Sequence, residues 1–199
     1  MTPAPIPANE AERLAALARY EILDTPADPA FDDLTMLAAH ICQTPIALVS
    51  LVDADRQFFK SHYGLDATET PRQVSFCAHA ILQPELLVVP DALADARFAD
   101  NPLVTADPHI RFYAGAPLRA QDSHALGTLC VIDRVPRTLT AQQQEALRAL
   151  SRLVVSRLEL RRTEAALRKS DAFQKAILAG ADYSIISTTE NGVITTFNT

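Results

Sequence analysis

The sequence predicts an α+β fold: an antiparallel sheet of about five to six strands, helices on one face, a loop-and-helix lid on the other, and a long C-terminal helix. Three observations predict it. Apolar residues recur at helical spacing before residue 43. Five or so β-prone apolar runs follow between Ile46 and Asp133, and the tight turns that join neighbours make them antiparallel. From Ala141 to about Ala179 the chain holds neither Gly nor Pro and keeps a helical pattern.

Taken in order, Asn9 to Tyr20 reads as a helix capped by Asn9, with Leu14, Leu17 and Tyr20 at helical spacing. Pro26 and Pro29 punctuate a loop, and Asp32 to Cys42 reads as a second helix with Phe31, Leu34, Leu37, Ala38 and Ile41 on one stripe. Ile46 to Val52 and Gln57 to Ser61 are strands around an Asp53-Ala-Asp55 turn. Ser75 can cap a short helix through Leu82, and Leu86 to Val89 is a short strand closed by Pro90-Asp91. Asp95 to Pro102 is a polar loop with room for one helical turn. Ile110 to Leu118 and His124 to Asp133 read as a strand pair, and Thr140 caps the long helix.

At ~1.5 Å per residue that helix reaches roughly 55–60 Å, longer than one domain needs. Leu147, Leu150, Val154, Leu158, Ala165 and Ala172 lie near one face, interrupted by Arg161 and Arg168. Such a stripe predicts a parallel homodimer through the C-terminal helix; the alternative is a helix folded back on its own domain. Tyr183 to Thr189 and Val193 to Phe197 flank Asn191-Gly192, a strong hairpin signal.

The chain has 199 residues, 48% of them hydrophobic, and a net charge of −6. That balance argues against nucleic-acid binding. Between Glu145 and Lys175 eight Lys or Arg face four Asp or Glu, which reads as a solvated helix face. Cys42, Cys77 and Cys130 form no CxxC pair, so neither a disulfide framework nor structural zinc is expected, and a cytoplasmic location fits. The start of the chain lacks a signal-peptide pattern, and no apolar run is long enough to span a bilayer. Residues 1–8 read as a flexible leader.

Several motifs in fixed order carry a resemblance: Ala47-Leu-Val-Ser-Leu-Val-Asp53, Val74-Ser-Phe-Cys-Ala-His-Ala-Ile81, Val89-Pro-Asp91, Asp95-Ala-Arg-Phe98, Phe112-Tyr-Ala-Gly-Ala-Pro-Leu118 and Leu126-Gly-Thr-Leu-Cys-Val-Ile-Asp133. Over about residues 9–160 the chain resembles the GAF domain, especially the version found in bacterial sensor kinases and cyclic-di-GMP enzymes. Residues 161–179 resemble a signalling connector, and 180–199 resemble the truncated start of a PAS domain. The resemblance implies a sensory input module that binds a small ligand and signals to a C-terminal output, a histidine kinase first, a diguanylate cyclase or phosphodiesterase next.

The lid expected is Thr68 to Leu103, and the floor is the strand pair around Tyr113 and Thr128. Candidate pocket residues are Phe59, Ser75, Phe76, Cys77, His79, Asp91, Arg97, Phe98, Arg111, Tyr113, Thr128 and Cys130. Phe58 and Phe59 must face opposite ways, so only one can look into the pocket. Thr128 and Cys130 share one strand face, which the alternation leaves open between pocket and helix side. Asp91 and Arg97 read as a lid-bracing ion pair, and Arg111 as a cation near the mouth. Cys77 and His79 are two apart on a helix and so point to different faces; a catalytic pair is not expected, nor is a metal site. Some GAF proteins reduce free methionine sulfoxide with paired cysteines, one shortly after a His-Ile pair, but His109-Ile110 here is followed by Arg111-Phe112. Bilin-binding relatives place Cys directly before His; Ala78 intervenes here. Haem through His79 has no further support, so no cofactor is assigned. Two alternatives remain: a redox sensor or methionine-sulfoxide-reductase-like enzyme using Cys77, and a structural dimerisation domain with an empty pocket.

Overall fold

The computed structural model describes residues 2–179, 186–188 and 194–197. The chain divides into two compact units, residues 1–159 and 160–199.

In the first unit six antiparallel strands form one sheet: β1 (Ile46–Val52), β2 (Arg56–Tyr63), β3 (Glu69–Pro71), β4 (Leu87–Val89), β5 (Phe112–Arg119) and β6 (Ala125–Asp133). Their spatial order is β3-β2-β1-β6-β5-β4. Both central strands are buried along their whole length, so each face must be covered. Alternation sorts the side chains. Ala47, Val49 and Leu51 of β1, Phe112 and Ala114 of β5, and Leu129 and Val131 of β6 join one core. Ile46, Leu48, Tyr113, Cys130 and Ile132 join a second core on the opposite face.

Helices α1 (Glu10–Ala18), α2 (Pro29–Cys42) and α5 (Ala141–Ala179) supply the first core. Shorter helices α3 (Phe76–Ala80) and α4 (Pro102–Thr105), with their loops, supply the second. This is the expected arrangement, helices on one face and a lid on the other. The edge strand β3 was not foreseen: three residues carry too little alternation to read, and Pro71 is tolerated because the strand is an edge.

Helix ends follow ordinary capping chemistry. Asp28 accepts from Ala30 N, and Pro29 sits in the first turn, where a missing N–H costs nothing. The helix therefore starts three residues before the expected Asp32. Thr140 and Gln143 form a reciprocal capping box at the start of α5. Asn9 precedes α1 but makes no side-chain cap bond, contrary to expectation. The buried stripe of α2 is Phe31, Thr35, Ala38, Ala39 and Cys42, whereas Leu37 and Ile41 are exposed. The sequence stripe is rotated because small residues let the helix sit close to the sheet, and Thr35 satisfies its hydroxyl on Phe31 O.

A second correction concerns α5. Leu147, Leu150, Val154 and Leu158 are buried in the core of their own domain, so they are not a surface for another chain. The apolar residues left exposed on this helix include Leu153, Leu160, Leu167, Phe173 and Ile177. In the second unit β7 (Ile186–Thr188) pairs antiparallel with β8 (Ile194–Phe197). The expected Asn191-Gly192 turn between them lies outside the described residues. Among the described residues no helix is long and apolar enough to cross a membrane.

Candidate functional site

Between the sheet and the lid lies a cavity of about 160 Å³. Its walls are mostly carbon: Ile46 and Leu48 from β1, Phe59 from β2, Phe76 from α3, Leu103 from α4 and Ile132 from β6. Polar groups enter it from Gln57, Thr70, Cys77, Asp107 and Tyr113. An apolar cavity of ~150 Å³ takes up a molecule the size of benzene.

Gln57 organises the polar corner. Its Oε1 accepts from Ser75 Oγ at 2.5 Å, and its Nε2 donates to Thr70 Oγ1 at 2.5 Å. Ser50 Oγ lies 3.4 Å from the same Oε1. Ser75 Oγ also accepts from Ala78 N at 3.0 Å, so one hydroxyl both caps α3, as expected, and ties it to β2. On the other side of the lid Asn101 caps α4 through Leu103 N and donates to Val74 O at 3.0 Å. These bonds fix the two lid helices over the floor.

At the inner end of the cavity Cys77 Sγ lies 3.9 Å from Cys130 Sγ and 3.5 Å from Tyr113 Oη. Room for the phenol comes from Gly115, which shares the strand face of Tyr113 and sits opposite Cys130 in the ladder. A Cβ at Gly115 would stand 2.1 Å from Tyr113 Oη. Burial alone pushes the Cys77 thiol up. Hydrogen bonding from Cys130 and Tyr113, with help from the nearby Thr128 and Ser50 hydroxyls, outweighs it and lowers the pKa. Cys130 and Tyr113 are driven the opposite way, chiefly by burial. Thr128 Oγ1 is itself buried without a hydrogen bond of full geometry among the described residues.

A wider groove of about 260 Å³ lies between β5 and α5 and is lined in part by Arg119, Arg148 and Arg152. Arg119 donates to the carbonyls of Ser123 and Gln83, and the other two face Glu85 and Glu145. Its cations are already matched. The lid cavity is the better candidate.

A family model described as the GAF domain matches residues 26–158. The chain belongs to the GAF family. A cyclic di-GMP phosphodiesterase of Pseudomonas aeruginosa is 44% identical over 164 residues, which are 82% of this chain and 28% of that protein. The chain thus spans under a third of that relative's length. The free methionine-R-sulfoxide reductase of Neisseria meningitidis, solved with its substrate, superposes with a TM-score of 0.56 at 17% identity, covering 82% of this chain and 99% of that one. The GAF domain of an Acinetobacter phosphoenolpyruvate-protein phosphotransferase gives 0.51 at 17% identity, covering 80% and 98%. Likeness at such identity shows the fold alone.

In this GAF domain Phe59, Phe76, Cys77 and Tyr113 line the cavity. Phe59 joins the lid-side core and Phe58 packs on the helix side, as alternation required. Cys130 faces the lid, which answers the question the sequence left open, and Thr128 shares that face. Ser75, His79, Phe98, Thr128 and Cys130 stand behind the cavity wall. His79 is packed edge-on against Phe98 at 4.8 Å. Burial and then the Arg97 cation lower its pKa, although a backbone hydrogen bond with Thr2 pulls it back.

The expected Asp91–Arg97 pair does not form. Arg97 makes a two-pronged bond with Asp95 at 2.6 and 2.9 Å, and Asp91 makes one with Arg111 at 2.8 and 2.9 Å. Arg97 and Asp95 are two residues apart in one turn, which leaves Asp91 to Arg111; Arg111 is bound to that carboxylate and does not line the cavity. Sequence reasoning missed Gln57, Thr70 and Asn101. Gln57 was visible only as one polar residue beside two phenylalanines, and Asn101 as an Asn before a Pro-led turn.

Proposed function

We propose that this chain is a sensory input module whose lid-side cavity takes a small, mostly apolar ligand with one polar group for the Gln57–Thr70 corner. The observation that carries the reading is the placement of the cavity. It lies against β1 and β6, and the side chains on the opposite face of those strands share one core with Leu147, Leu150, Val154 and Leu158 of α5, beside α1 and α2. A ligand that prefers one lid position biases the sheet, and the helix is one layer, ~10 Å, away.

Residues 160–179 would then act as the connector to the output. Leu153, Leu160 and Leu167 recur every seven residues, with Ser156, Thr163 and Ser170 three positions after each. A leucine every seventh residue fills one of the two seam positions of a parallel coiled coil and leaves Ser or Thr at the other; the homodimer is read through this half-apolar seam in place of the expected one, and Ala165 and Ala172 fall off it. The β7–β8 pairing supports reading 180–199 as the opening of a PAS domain. The 44% identity to a cyclic di-GMP phosphodiesterase supports cyclic di-GMP turnover as the output, ahead of the histidine kinase. Free buried thiols support a cytoplasmic location. The domain itself is read as regulatory, since no thiol follows His109-Ile110 to complete a sulfoxide reductase.

Native mass spectrometry of the freshly purified protein tests the ligand reading, with Leu48→Phe, which fills the cavity, as the control. A bound small mass in the wild type that is absent from the variant supports the reading. A mass retained equally by the variant, or no ligand in the wild type even after incubation with cell extract, contradicts it.

A further inference from the structure

We propose that Cys77 and Cys130 are a dithiol switch, converted by a peroxide-class oxidant into an intramolecular disulfide that ties the lid helix α3 to the central strand β6. The inference does not rest on the ligand reading, because the chemistry needs only the two thiols and an oxidant.

The geometry is the starting point. The thiols belong to elements 53 residues apart, yet their sulfurs are 3.9 Å from each other. A disulfide bond is about 2.05 Å long, so closure asks for an approach of roughly 2 Å. The central strand β6 is held by ladders on both sides, to β1 and β5. Helix α3 is only five residues long and hangs on the Ser75 cap. The approach therefore falls to the lid. Cys77 lines the cavity and Cys130 does not, which gives the pair an order: a small oxidant meets Cys77 first.

The surroundings favour the same order. Tyr113 Oη points at the Cys77 sulfur, and donors stabilise its thiolate, whereas burial holds Cys130 protonated. The third thiol, Cys42, lies in the helix-side core with its pKa raised by burial to about 11, and serves as an internal control.

The chemistry balances. The Cys77 thiolate attacks one peroxide oxygen, an S–O bond forms, the O–O bond breaks, and the leaving hydroxide takes a proton to become water. Cys77 is then a sulfenic acid. The Cys130 sulfur attacks the Cys77 sulfur, the S–O bond breaks, and the departing hydroxide leaves as water with the Cys130 proton. Two thiols lose two electrons and two protons, and one hydrogen peroxide becomes two waters. An added dithiol reverses the step by exchange.

The test is mass spectrometry of the full chain after hydrogen peroxide at neutral pH. The expected result is the loss of two hydrogens, a linked peptide joining Cys77 to Cys130, Cys42 still free, and full reversal by dithiothreitol. Cys130→Ala should instead gain one oxygen at Cys77, trapped by dimedone. If that variant does not fold, the peptide map of the wild type decides alone. The idea is overturned if both thiols stay free in a large excess of peroxide. It is equally overturned if Cys77 goes on to sulfinic acid without a disulfide, or if the bond that forms involves Cys42 or a second chain.

Discussion

Both faces of this sheet are buried, yet they are built for different ends. The helix-side face is closed by Leu, Val, Phe and Ala from three helices, with the one thiol of Cys42. The lid-side face carries two thiols, a phenol, a glutamine and a cavity, under two helices of five and four residues. Close packing gives stability to the first. Short elements, polar anchors and empty volume give adjustability to the second. One strand, β6, belongs to both, with Leu129 and Val131 on one side and Cys130 on the other.

The largest effect of a substitution is expected in the helix-side core. Phe31→Ala, at a fully buried ring, should cost about 3–5 kcal/mol in chemical denaturation. Leu103→Ala at the half-buried cavity rim should cost far less, and equal losses would remove the distinction between the faces. Gly115→Ala should cost about 1–3 kcal/mol, because the new methyl displaces the Tyr113 phenol; tyrosine fluorescence should change with it.

At the end of the sheet, Glu10 joins the two sides. It accepts from Arg13 of α1 and from Arg72 beneath the lid, at 2.7 and 2.5 Å. Arg13 in turn donates to Val52 O at 2.7 Å. Burial raises the Glu10 pKa, but the two guanidiniums outweigh it and push it down to about 2. A depressed carboxylate contributes stability that is fully present above its ordinary value of 4.5 and is lost as pH falls towards 2. Stability should therefore fall by on the order of 2–3 kcal/mol across that window, and Glu10→Gln should flatten the decline. An undiminished decline in the variant would assign it to other carboxylates. The smallest effect is expected from Arg111→Met. Its pair with Asp91 is solvent-screened, and the melting temperature should not move measurably.

The fold was legible because alternation and turn residues are local signals. Ile46 to Val52 and His124 to Asp133 could be placed without knowing their neighbours. Faces were harder. On α2 the largest apolar residues, Leu37 and Ile41, point outward, and the packing face is chosen by Ala38 and Ala39. On α5 one apolar stripe reads as a partner surface, because a sequence does not say which half of a long helix rests on its own domain. The site was less legible still. Cys77 meets Cys130 only through the fold, Gly115 matters for the side chain it lacks, and Arg97 chose the carboxylate two residues away over the one six residues away.

If the cavity communicates across the sheet to α5, a ligand seated on the lid side is felt at the helix on the far side. Methyl NMR of the chain titrated with benzene tests it most directly. Saturable shifts are expected at Ile46, Leu48 and Ile132 on the lid side, together with shifts at Leu147 and Leu150 on the far side. Shifts confined to the lid-side methyls, or none that saturate, would contradict it.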